Sequence, residues 1–137
     1  MRRVVVDANV FVSFFIDRHA AQHAAARAVI QAAEDGEILA IVPQAVVFEV
    51  AYVVQSQYNV TGHRLATVVK AVTSFPGTQL VDECPWKSVL EIWPAALTGL
   101  GDAAVVALAM LNRCDAVATF DRKLANQLEA FGLASYF

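Results

Sequence analysis

Four of the thirteen carboxylates in the chain stand where carboxylates can do chemistry: Asp7, Glu49, Asp102 and Asp121. Asp7 ends the β-branched run Arg3–Val6, and Asp121 ends the apolar run Ala116–Phe120. Asp102 opens an apolar helix, and Glu49 interrupts an apolar one, with Ala45, Val46, Tyr52 and Val53 as its helical neighbours. A carboxylate on an apolar face is costly unless it is paired or holds a cation. An open α/β sheet collects its chemistry at the carboxyl ends of its strands and the adjoining helix ends, so all four acids point to one edge. No comparable number of basic residues accompanies them. Four mutually repelling carboxylates protonate or unfold a site unless a cation holds them. Carboxylate oxygens with water suit a hard ion, Mg²⁺ or Mn²⁺. Such an ion lowers the pKa of water and stabilises the leaving oxygen of a phosphodiester, one ion or two being open at this level. The competing reading makes Asp7 and Asp102 helix caps and gives Glu49 an ion-pair partner such as Arg113, Arg122 or Lys123.

The remaining acids read as structural. Asp115 precedes the strand that Asp121 follows and belongs at the opposite edge. Asp17, Glu34, Asp35 and Glu37 fall in turns or helix ends, and Glu91 and Glu129 on solvated helix faces. Asp82 and Glu83 precede Pro85 and suit capping of the helix that follows.

The elements that must carry these acids alternate along the chain. Strands are expected at Arg3–Val6, Ile38–Val42, Gln79–Val81 and Ala116–Phe120, with a very short fifth at Ala134–Phe137. Helices are expected at Asn9–Ile16, Ala20–Ala33, Pro43–Tyr58, about His63–Phe75, Pro85–Leu97, Asp102–Arg113 and Asp121–Phe131. Asp35-Gly36 and Pro76-Gly77 are stops, Thr61 a candidate N-cap, and Gly132 a carboxyl cap. Pro43–Tyr58 is apolar nearly all round and should be buried. Alternating strands and helices imply an α/β fold, a parallel sheet covered on both faces. With 137 residues and no linker or repeat, residues 1–137 read as one domain.

Composition narrows the function. The chain is 58% hydrophobic and 17% charged, with a net charge of −3 and a pI of about 5.5. That excludes nucleic-acid binding by bulk positive charge; a bound cation would have to neutralise a phosphate instead. Cys84 and Cys114 lack metal or redox spacing and read as thiols of a cytoplasmic protein. Asp7 interrupts the amino-terminal apolar run before it can serve as a signal, and no run is long enough for a membrane span. His19 and His23 lack the Glu of a zinc-protease helix. Gly99–Ala104 fits a dinucleotide fingerprint only on paper, since a helix rather than a strand precedes it. Trp86 and Trp93, seven apart on one helix face, suit core packing, and Phe11, Phe14 and Phe15 a partner surface.

The ordered set VVVDANVFV, VVFEVAYV around Glu49, GLGDAAVVALA around Asp102 and AVATFDRKL around Asp121 resembles PIN-domain ribonucleases, and among them the VapC-like toxins of toxin–antitoxin pairs. The resemblance runs over the whole chain. It implies a three-layer α/β/α sandwich with a central, mostly parallel sheet. It also implies Mg²⁺- or Mn²⁺-dependent RNA hydrolysis, a homodimer and a cognate antitoxin. The family's acidic quartet falls on Asp7, Glu49, Asp102 and Asp121. Its small polar residue after the first acid, often Ser or Thr, is Asn9 here, and its hydroxyl before the last acid is Thr119. On this reading Asp7, Asp102 and Glu49 hold an ion, and Asp121 holds a second ion or orients water. Asn9 and Thr119 support the acids by hydrogen bonds. Arg122 and Lys123 contact phosphate or are simply a solvated helix start. A non-toxin PIN nuclease that processes RNA, and a catalytically silent binding domain, are the alternatives.

Overall fold

The computed structural model describes all residues, Met1–Phe137. Five strands, β1 (Arg2–Val6), β2 (Ile38–Pro43), β3 (Thr78–Val81), β4 (Ala116–Ala118) and β5 (Ala134–Ser135), form one sheet in the order β3-β2-β1-β4-β5. Every pairing is parallel, with Val4 opposite Ala40 on one side and Ala116 on the other. Parallel strands buried on both faces read as continuous apolar runs, and Val4, Val5, Val6, Ala40, Ile41, Val42, Ala116, Val117 and Ala118 are all buried.

Seven helices make the crossovers: α1 (Ala8–Phe15), α2 (Ala20–Glu34), α3 (Gln44–Tyr58), α4 (Gly62–Val72), α5 (Trp86–Ile92), α6 (Leu100–Leu111) and α7 (Arg122–Gln127), the last continued by a 3₁₀ turn at Leu128–Phe131. The chain walks β1→β2→β3 in one direction, returns across β1 to β4, and goes on to β5. Right-handed crossovers then place α1–α4 on one face and α5–α7 on the other. This is the expected three-layer sandwich. The direction of winding reverses between β1 and β4, the position at which open α/β sheets hold ligands.

Several boundaries differ from expectation. The helix carrying Asp102 begins two residues earlier, at Leu100, so Asp102 lies in its first turn rather than at its start. The helix opened by Pro85 ends at Ile92, because Pro94 cannot continue the ladder. The fourth helix ends at Val72, not Phe75, and Thr61, although at its N-cap, makes no side-chain capping bond. Asp82 and Glu83 cap nothing: Pro85 is the N-cap of α5, and Asp82 instead accepts a hydrogen bond from Gln44 at 2.7 Å. Gly132 adopts the left-handed backbone expected of it, φ 74°.

Burial also departs from the sequence reading. α6 is buried from Ala103 through Ala109, while Leu100, Met110 and Leu111 at its ends are exposed. α3 is not buried all round: Phe48 and Tyr52 are 73% and 70% exposed. Phe11 is fully buried in the core, and Phe14 and Phe15 pack on Phe75. Trp86 lies on the surface, while the indole of half-buried Trp93 donates to the Thr98 carbonyl at 3.0 Å, bracing the loop that leads into α6. No helix is long and apolar enough to cross a membrane.

Candidate active site

Asp7 follows β1 directly, whereas β4 ends at Ala118, short of the expected Phe120, and Asp121 follows it after Thr119 and Phe120. The Asp7 backbone N–H still donates to Ala118 at 3.0 Å, so the β1–β4 ladder continues into the site. The Asp7 side chain caps α1, with Oδ1 accepting from the Ala8 N–H at 2.8 Å. Its Oδ2 accepts from the Thr119 hydroxyl at 2.8 Å and from Asn9 Nδ2 at 3.4 Å. Asn9 spans the two strand ends: Nδ2 donates to Thr119 Oγ1 at 3.1 Å, and Oδ1 accepts from the Phe120 N–H at 3.0 Å. An Asn at this position therefore makes bonds that neither Ser nor Thr is long enough to make together.

Asp121 caps α7, with Oδ1 accepting from the N–H groups of Lys123 and Leu124 at 2.9 and 3.2 Å. Asp102 is half-buried in the first turn of α6, whose cap residue is Gly99. A Cβ on Gly99 would lie 3.2 Å from Asp102 Oδ2, so glycine leaves the carboxylate its room. Glu49 stands on the exposed side of α3, not in the core as its apolar neighbours suggested.

Electrostatics joins the four acids. Asp7 is buried, and burial raises its pKa; its bonds from Thr119 and Ala8 oppose the rise, and the Asp121 charge adds to it. Glu49 is raised by loss of water and then by the charges of Asp7 and Asp102. Asp102 is raised by burial, then by Asp7 and Asp121, with Lys123 acting against them. Asp7, Glu49 and Asp102 thus each feel at least one other acid, and the charges acting on Glu49 are carboxylates rather than an ion-pair partner. Lys123 faces the acids while Arg122 lines a groove beside them. Asp115 lies at the opposite edge, accepting from the Arg3 N–H at 2.8 Å.

The donor set is chemically suited to a hard divalent ion. No three of its side chains are gathered closely enough to hold an ion together. Mg²⁺ does not ask for a complete cage, being held commonly through one or two carboxylates, several waters and a substrate phosphate. His19, His23 and the two cysteines do not join the acids. His19 caps α2 by accepting from Gln22 N–H, and His23 Nδ1 lies 2.7 Å from the Ser13 carbonyl. Cys84 and Cys114 are free, and burial pushes the Cys114 thiol up to about 11.

The sequence reading missed the groove. It has a volume of about 680 Å³ and lies between the start of α2, α7 and the segment after β5. Thr119, Phe120 and Arg122 form its wall on the side of the acids. Only the interleaving of His19 and Gln22 among the alanines of α2 hinted at a polar surface there.

The central parallel sheet flanked by helices, with its reversed winding, is a PIN-like fold. The chain belongs to that family: the PIN domain model matches residues 4–127. Among solved structures, the fold is similar to that of Mycobacterium tuberculosis VapC20, a sarcin–ricin loop cleaving toxin. The TM-score is 0.65 at 14% identity, over 90% of this chain and 93% of that one. No curated protein sequence matches the chain significantly.

Proposed function

We propose that this chain is a divalent-metal-dependent endoribonuclease, the toxin of a toxin–antitoxin pair. One observation carries the reading: Asp7, Glu49, Asp102 and Asp121 come from four different segments, and the charges of Asp7, Asp102 and Asp121 help to raise the pKa values of Asp7, Glu49 and Asp102. A protein gains nothing in stability from such an arrangement, so a cation is its natural complement. Asp7, Asp102 and Glu49 would hold Mg²⁺ or Mn²⁺, and Asp121 would hold a second ion or orient water. When bound, the ion neutralises a phosphodiester and makes water a nucleophile near neutral pH. Thr119 and Asn9 fix the Asp7 carboxylate, and Lys123 offers positive charge beside Asp102. The PIN family membership and the likeness to VapC20, itself an RNA-cleaving toxin, support this reading.

The caps made by Asp7 and Asp121 favour a second reading, a catalytically silent binding domain. Glu49 and Asp102 speak against it, because neither caps its helix. The test uses purified protein free of antitoxin, incubated with RNA and Mg²⁺ or Mn²⁺. Cleavage that stops with a chelator and is lost in Asp7→Ala and Asp102→Ala supports the nuclease; cleavage that survives both substitutions sinks the site. Growth arrest on expression without a partner gene, relieved by Asp7→Ala, distinguishes a toxin from an RNA-processing PIN nuclease. The proposal includes a homodimer in the cytoplasm, for which the exposed Phe48, Tyr52, Trp86 and Leu90 on α3 and α5 are candidate contacts. Light scattering of the purified protein decides that point.

A further inference from the structure

We propose that the groove between α2, α7 and the segment after β5 is a nucleobase subsite that takes the RNA base next to the phosphate held at the acids. The inference rests on the nuclease reading. Position argues first. Thr119 donates to Asp7 and also lines the groove, and Phe120 and Arg122 line it on either side of Asp121. A single strand whose phosphate lies over the acids therefore has its neighbouring nucleotide over the groove. At about 680 Å³, the groove is within the range of roughly 300–1,000 Å³ in which small ligands are held.

Chemistry argues second. Phe137 is 48% exposed and stacks on half-buried Phe120, ring centroids 4.7 Å apart and planes 18° apart. Tyr136 meets Phe137 edge-on at 5.5 Å, and Arg2 lies over Tyr136. The result is a braced aromatic plane with an open face, the platform on which unpaired bases stack. Gln22 and Asn126 line the same groove and supply amide donors and acceptors of the kind that read base edges. Arg122 supplies a phosphate-binding fork. His19 accepts from the Gln22 N–H through Nδ1, leaving Nε2 as its remaining polar atom.

Charge argues third. No acidic side chain lines the groove, and Arg122 does. In an acidic protein, this makes it a surface that a polyanion can approach. Stacking platform, amide readers and a cation together fit a single-stranded nucleic acid better than a peptide.

The test measures binding of single-stranded hexaribonucleotides of A, C, G or U to full-length protein carrying Asp102→Asn, by fluorescence anisotropy. Adding Phe137→Ala should weaken binding about five- to a hundredfold, the span of one base-stacking contact. Phe137→Trp, which keeps the platform, should retain it, and Asn126→Ala should change the order of preference among the four probes. Equal affinity in Phe137→Ala and its parent overturns the subsite, as does equal loss in the Ala and Trp variants; a groove that serves a peptide partner gives the first result. With the acids intact and Mg²⁺ present, Phe137→Ala should raise KM and leave kcat unchanged. Hexanucleotides that bind through Phe137 yet stay uncut by the unsubstituted protein with Mg²⁺ or Mn²⁺ would defeat the nuclease and spare the subsite. Chelator-sensitive cleavage with unaltered KM would do the reverse.

Discussion

The Thr119 hydroxyl donates to Asp7 Oδ2 at 2.8 Å and so ties the end of β4 to the end of β1. The same oxygen accepts from Asn9 Nδ2 and from the Asp121 N–H, each at 3.1 Å. One proton and both lone pairs are thus committed, which fixes the hydroxyl's direction. Thr119→Val keeps the shape, leaves the Asp121 N–H without its partner, and leaves Asp7 Oδ2 and Asn9 Nδ2 with only their 3.4 Å bond to each other. A loss of roughly 1–3 kcal/mol is expected, the cost of buried groups left unpaired, read from the urea midpoint. Thr119→Ser should stay close to wild type. Because the Thr119 bond holds the Asp7 pKa down against burial, Thr119→Val should also move the acid limb of the cleavage profile to higher pH.

Asp102→Asn should separate stability from activity. Asp7, Glu49 and Asp102 all have raised pKa values in the fold. The folded protein therefore binds protons more firmly than the unfolded chain, and metal-free stability falls as pH rises from the ordinary carboxylate range, about 4, through the folded values. Removing one charge relieves that loss. The metal-free variant should melt higher than wild type at pH 7, with the gain disappearing below about pH 4. Cleavage should fall by more than about a hundredfold, since even residues that only support a metal ligand cost roughly 10–100-fold. A variant that melts lower at pH 7 and still cuts would show that Asp102 is structural.

The acids at the ends of β1 and β4 were legible because a buried strand followed by Asp has one meaning in an open parallel sheet. The order of the sheet follows from alternation and handedness, and the resemblance carries the three layers. Glu49 stood out in the sequence as an acid among apolar neighbours, but its exposed surroundings on α3 were not legible. Apolar periodicity in α3 does not distinguish a face covered by the chain's own core from one such as Phe48 and Tyr52, left on the surface. Helix ends near Gly99 and Pro94 were blurred because the loop between them is held by a side-chain to backbone bond, Trp93 to Thr98, that has no propensity signature. The groove was invisible for the same reason, since its walls come from His19 and Gln22 at one end of the chain and Phe120 and Phe137 at the other.

Divalent metal should stabilise the protein by relieving the same repulsion. A ligand that binds only the folded state adds RT ln(1 + [L]/Kd), about 2.7 kcal/mol at a hundred times Kd. Mg²⁺ or Mn²⁺ should therefore raise Tm at pH 7. The increment should shrink as the medium is acidified and the acids take up protons. Ca²⁺-free chelator should abolish it, and Asp7→Asn should reduce it sharply. A Tm that ignores both ions at neutral pH, measured by differential scanning fluorimetry, would contradict the cation site independently of any RNA substrate.

Asp121 has two roles that one pair of substitutions separates. Its Oδ1 accepts from the Lys123 and Leu124 N–H groups and so caps α7. Asn caps a helix about as well as Asp, whereas Ala costs typically about 1 kcal/mol. Asp121→Asn should thus fold with wild-type stability and Asp121→Ala should melt lower. If the carboxylate holds an ion or orients water, both variants lose cleavage together, because Asn keeps the cap and removes the charge. If Asp121 acts only as a cap, cleavage follows stability: Asp121→Asn cuts normally and Asp121→Ala does so at temperatures well below its Tm. The charge Asp121 exerts on Asp7 and Asp102 favours the first outcome, since a residue that only caps a helix gains nothing from standing beside two other acids.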